Sequence, residues 1–225
     1  MISSRSLFVA GVLLLSTALP ATAHRPLTIG GTFPSHDQAL RVTDRDVSQV
    51  AYVELTDAAP ALWLAFDAEA GTHVDVSLGV PVLDRLIAYR PNLALLGPGL
   101  PPLALPLESA PDLGGRLFES AAREPRRFHE PFTGTASWIV FEESIELPES
   151  GTYYLVAWSP DEIVDKLWVA VGWREHYGLE DVLALPTILR DVRAFHEVPA
   201  GPSALATAGK VLFLAAAALL IAFLL

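Results

Sequence analysis

QVAYVEL (49–55), ALWLAF (61–66) and THVDVSL (72–78) follow one another in a single short run, and their reading decides the fold. Each alternates or runs apolar in the manner of a strand, and they recur at roughly ten-residue spacing. Asp57, Pro60, Gly71 and Pro81 supply the turn chemistry at their edges. Working outward, further strands are predicted at Leu93–Leu96, Ser137–Phe141, Ser144–Leu147, Thr152–Trp158 and Leu167–Val171, all rich in aromatic, aliphatic or β-branched side chains. The expectation is a mainly β domain over residues 24–175, a β-sandwich.

Two stretches depart from this pattern. From Gly97-Pro98-Gly99-Leu100-Pro101-Pro102 to about Thr135 there is proline, glycine and charge with little periodicity, which predicts an elaborated loop. After Trp173 the period changes: Ile188, Leu189, Val192 and Phe195 recur at helical spacing, and Pro186 suits a first turn. A short amphipathic helix is therefore expected within a connector at 176–200.

The two ends set the address. Residues 1–23 read as a signal peptide, with Arg5 as the positive region, an apolar run from Leu7 to Leu15, and Ala21-Thr22-Ala23 as the cleavage site, so that His24 becomes the first residue. Residues 203–225 read as a C-terminal transmembrane helix: from Ala204 onward the single charge is Lys210, whose stem can carry its ammonium to the interface. The expected protein is a single-pass membrane protein with its N-terminus and folded domain on the extracytoplasmic side, at the cell surface or in the periplasm.

Composition narrows the chemistry. The 225-residue chain has no cysteine, which excludes a disulfide framework, thiolate metal ligands and a thiolate nucleophile. Its formal charge of −11 lacks the basic footprint that grips nucleic acid. No nucleotide-cradling glycine loop, zinc-protease helix or Ser-His-Asp signature is present, so no catalytic residue is assigned and a noncatalytic protein is expected.

Leu147-Pro-Glu-Ser-Gly-Thr-Tyr-Tyr-Leu-Val-Ala-Trp158, followed by Lys166-Leu-Trp-Val-Ala-Val-Gly172, resembles the prepeptidase C-terminal type of β-sandwich, as do Ala61–Leu78 and Arg90–Gly99. The resemblance covers about half of the mature chain. It implies a jelly-roll-like β-sandwich, an accessory module on secreted proteins of a fold whose relatives bind carbohydrate or calcium. The acidic strand expected in that family is replaced here by Pro91-Asn92-Leu93-Ala94, which makes calcium the lesser metal candidate.

Copper is the leading metal candidate. A mature N-terminal His24 offers both its amine and its imidazole, and His129 with neighbouring Glu130 would complete a nitrogen-rich site, with His36 as the alternative histidine. Among the five tryptophans, Trp173 after Gly172 is the candidate ligand contact, and the other four belong to or border predicted strands. The carboxylates Glu142, Glu143, Glu146 and Glu149 read as a solvated face, and Asp161, Glu162 and Asp165 as a loop cluster. Three functions follow: a surface-anchored module binding a protein or carbohydrate partner, an exported copper-binding protein, or an accessory subunit of a membrane assembly packing through the small residues Ala215–Ala218.

Overall fold

The computed structural model describes residues 25–107, 111, 113–160, 164–174, 176 and 178–199. The expected signal peptide at 1–23, His24 and the expected anchor at 203–225 lie outside them. Among the described residues no helix is long and apolar enough to cross a membrane.

Among the described residues eleven strands and one α-helix follow in chain order: β1 (Arg25–Ile29), β2 (Leu40–Arg41), β3 (Gln49–Glu54), β4 (Ala61–Ala68), β5 (His73–Pro81), β6 (Asn92–Leu96), β7 (Gly115–Phe118), β8 (Arg126–Glu130), β9 (Thr135–Glu146), β10 (Gly151–Trp158), β11 (Lys166–Val171) and α1 (Leu179–Phe195). They form a six-stranded sheet in the order β1-β3-β11-β5-β9-β8 and a five-stranded sheet in the order β2-β4-β10-β6-β7. Both sheets are mixed, because β1 runs parallel to β3 and β2 parallel to β4 while the other pairings are antiparallel. The chain is thus mainly β and sandwich-like.

Period-two alternation assigns each strand an inner face. Ala51 and Val53 of β3, Val74, Val76, Leu78 and Val80 of β5, and Leu167, Val169 and Val171 of β11 meet Leu62, Leu64 and Phe66 of β4, Leu93 and Leu95 of β6, and Tyr153 and Leu155 of β10 in one buried core. The Gly-Thr-Tyr-Tyr segment acts within that core. The Tyr153 ring packs where a Cβ on Gly97 would fall 2.2 Å from it, and its hydroxyl lies 2.9 Å from the Pro98 carbonyl and 2.7 Å from that of Glu149. One side chain therefore ties the turn before β10 to the end of β6.

Three sequence expectations are corrected. The predicted loop from 97 to 135 contains β7 and β8, which are rim strands of the two sheets and carry Arg116, Arg126 and Arg127 where edge strands tolerate charge. The strands predicted at 137–141 and 144–147 are one strand, β9, whose register shifts opposite Leu78 and Gly79. Pro186 lies inside α1 rather than in its first turn. The helix begins earlier because the Asp181 carboxylate accepts a hydrogen bond from the Gly178 backbone N–H (2.8 Å) and pairs with Arg25 on β1 (3.4 Å).

Helix α1 lies against the outward side of the six-stranded sheet, where Phe195 packs with Val50, Ile139, Trp168 and Ala170. Its C-terminus is clamped. Glu197, at φ +56°, holds the left-handed position that usually falls to glycine, and its carboxylate meets Arg85 (2.6 Å) and Lys166 (2.7 Å). Arg85 also reaches Asp165 at 2.8 Å, so that one network joins helix end, β11 and the turn after β5.

Candidate functional site

The helix covers only part of the outward face of the six-stranded sheet and leaves a groove beside it. On β5 the outward residues are His73, Asp75, Ser77 and Gly79, small or polar where neighbouring strands are bulky. Gly79 stands opposite Trp168, and a Cβ there would fall 2.3 Å from the indole, so the ring lies across the glycine. The result is a groove of about 250 Å³. Val50, Tyr52, Ile139 and Trp168 make its apolar floor, and Phe128 on β8 forms a wall. Polar groups enter from Ser77, Ser137 and Thr135, and the rim carries the ion pair of Arg126 with Glu142 at 2.7 Å.

One end of the groove is closed by a hydrogen-bonded chain. The Trp168 indole N–H donates to Ser137 Oγ (3.0 Å), the Ser137 hydroxyl donates to His196 Nε2 (3.1 Å), and His196 Nδ1–H donates to the Val192 carbonyl (2.8 Å). These directions are forced, since the carbonyl can only accept and the indole can only donate. Burial pushes the His196 imidazole down to about 4, with Lys166 nearby working the same way against a hydrogen bond to Val192 that opposes it. The ring is therefore neutral at ordinary pH. A serine within reach of a histidine is the start of a nucleophile pair, but this imidazole is a weak base and the serine oxygen already receives the indole N–H. What the chain does is hold the helix end onto β9 and β11.

The residues singled out from the sequence are dispersed. His129 is in strand β8, not in irregular backbone, and it is exposed. Glu130 follows it directly and, by strand alternation, points to the opposite side, so the two cannot hold one ion. The Glu130 carboxylate instead accepts the backbone N–H groups of Phe132 (2.8 Å) and Thr133, closing the turn into β9. His36 packs edge-on to Trp63 and Tyr154 on the five-stranded sheet, away from β8 on the other sheet. Among the described residues no three His, Asp or Glu side chains gather as a metal set. Asp165 is engaged by Arg85, while Asp161 and Glu162 lie outside the described residues. Trp173 is 71% exposed at the far end of β11, outside the groove.

Sequence reasoning missed His196 and Ser137. The available signal was weak but real: His196 lies one helical turn after Val192, next to Phe195, and so extends the apolar face of α1. A larger basin of about 550 Å³ opens at the end of the five-stranded sheet among Pro34, Pro60, Pro106, Pro160 and Trp158, with no charged residue among the described residues of its lining.

No protein-family model and no curated protein matches this sequence. Among solved structures, the pre-peptidase C-terminal domain of collagenase from Bacillus anthracis aligns with 63% of this chain and 99% of that domain, at 11% identity and a TM-score of 0.35. The secreted protein MopE of Methylococcus capsulatus, in which an oxidised tryptophan facilitates copper binding, aligns over 51% of this chain and 70% of that one, at 12% identity and a TM-score of 0.25.

Proposed function

We propose that this chain is a noncatalytic binding module, exported and tethered at a membrane surface, whose ligand face is the groove on the six-stranded sheet. The observation that carries the reading is the groove's mixed character: an apolar floor of Tyr52, Ile139 and Trp168, the Ser77 hydroxyl, and a charged rim of Arg126 and Glu142. A concave apolar surface with a few convergent polar groups is what small-ligand and partner sites require. Its size suits one sugar ring or a few residues of a partner chain rather than a large cofactor. The expected export signal and C-terminal anchor would present it outside the cell membrane. The Gly151-Thr-Tyr-Tyr154 motif supports a jelly-roll-like accessory module of the prepeptidase C-terminal type.

The test is a thermal-shift series on the full chain in lipid nanodiscs against oligosaccharides and short peptides, repeated with Ser77→Trp. A ligand that raises Tm in the parent and has no effect once the indole fills the floor supports the groove. A shift that survives Ser77→Trp, or no shift with either class, overturns it. Copper added to the same full chain asks the separate question of whether His24 and His129 bind it; a Tm rise lost on His129→Ala would favour that reading.

A further inference from the structure

We infer that the sandwich stands on the membrane through the turn between β5 and β6, with Ile87 as the side chain that enters the lipid. The inference rests on the reading of residues 203–225 as a membrane anchor and adds the face that anchor presents to the bilayer.

The geometry begins at Glu197. Its ion pairs with Arg85 and Lys166 lock the helix C-terminus to the sandwich end formed by the start of β11 and the β5–β6 turn. Arg193 adds two more ties, donating to the Thr133 carbonyl (2.8 Å) and the Pro199 carbonyl (2.9 Å). The chain therefore leaves the domain at this end. Ala204, where the apolar run begins, is six steps along the chain from Val198, a reach of at most about 20 Å when fully extended. The surface around Val198 must lie within that distance of the bilayer interface.

Ile87 is on that surface, two residues from Arg85, and it is 63% exposed. Leu86 and Tyr89 beside it are buried, so the short turn is rooted in the core and offers Ile87 outward on a rigid base. Arg90 braces the turn by donating to the carbonyls of Ile87 and Tyr89, and it places a cation beside the isoleucine at headgroup depth, with Asp84 and Arg85 the other charges of the turn. An apolar tip flanked by a long cationic side chain is the chemistry of a lipid interface. Trp173 is at the opposite end of β11, roughly 20 Å away along the strand, and so faces outward from the membrane.

Because the chain has no cysteine, one introduced thiol labels one place. Ile87→Cys, Ala88→Cys and Trp173→Cys, each carrying an environment-sensitive fluorophore, are reconstituted as full chains in phosphatidylcholine vesicles with and without brominated acyl chains. The expected result is a blue-shifted probe at 87 that loses emission to brominated lipid, a weaker loss at 88, and an aqueous, unquenched probe at 173. A chain that floats with the vesicles after an alkaline wash but shows an aqueous probe at both 87 and 88 overturns this inference alone. A chain that does not float overturns the anchor reading and the inference with it.

Discussion

On the five-stranded sheet the outward side chains Trp63, Ala94, Leu96, Val156 and Trp158 are covered by Leu103, Leu105, Leu107 and Leu113 from the connection that follows β6. On the six-stranded sheet the end of α1 packs through Phe195 on Val50, Ile139, Trp168 and Ala170, and beside it the outward face stays open as the groove, with Ser77 of β5 in its lining. The difference is written in the strands. ALWLAF and LALL are apolar on both faces and need two coverings; HVDVSLG alternates and needs one. A surface stays open where its own strand has no apolar outer face to bury.

The strongest way to break the comparison is to empty the covered side. Trp63 is fully buried, and Trp63→Ala should cost about 3–5 kcal/mol in denaturant unfolding, whereas Ser77→Ala on the open side should stay within about 0.5 kcal/mol. If the two cost the same, the covering segment does not pack as described.

His196 probes the boundary between covered and open halves. Its folded pKa of about 4 lies below the unfolded value, so the unfolded chain takes up a proton first as pH falls. Stability is therefore complete above about 6.5 and is lost progressively down to about 4, by up to about 3 kcal/mol. His196→Gln should flatten unfolding free energy across that window. A slope unchanged by the substitution would show that the imidazole is not held neutral by burial.

The clamp at Glu197 should matter less, because its side chain and that of Arg85 are both more than a third exposed. The Arg85 and Lys166 hydrogen bonds hold the Glu197 carboxyl at about 2, so its contribution is present above the ordinary carboxylate range and lost as pH falls toward 2. Glu197→Gln should lower stability at neutral pH by about 1 kcal/mol or less and shrink the acid-induced loss below pH 4, read by chemical denaturation at several pH values. Smallest of all, Trp173→Ala should change stability by no more than about 0.5 kcal/mol, since the indole is exposed. A larger loss would mean that Trp173 is covered in the assembled protein.

Much of the architecture was legible before any coordinates. β3, β4, β5, β6, β10 and β11 fall within three residues of the segments predicted for them, because their alternation or apolarity is strong. β7 and β8 were hidden in the expected loop: GRLF is short and RRFHE is charged, and edge strands are permitted both. The site was less legible still. His129 and Glu130 looked like a pair because they are adjacent, and a strand separates neighbours to opposite faces.

Sequence by itself settled where the strongly patterned strands β3, β4, β5, β6, β10 and β11 occur, which of their faces are apolar, that thiol chemistry is absent, and that a helix follows the last strand, since each depends on residues close along the chain. The tertiary structure alone decided which strands are neighbours. Ser137 and His196 are 59 residues apart, and Ser137 and Trp168 31 apart, yet they form one hydrogen-bonded chain because β11 pairs with β5, β5 with β9, and the C-terminal end of α1 packs on β9 and β11. Periodicity is a local property of the chain, whereas the partner a strand chooses depends on burial across the whole core, so the groove and its closing histidine came into view only with the fold.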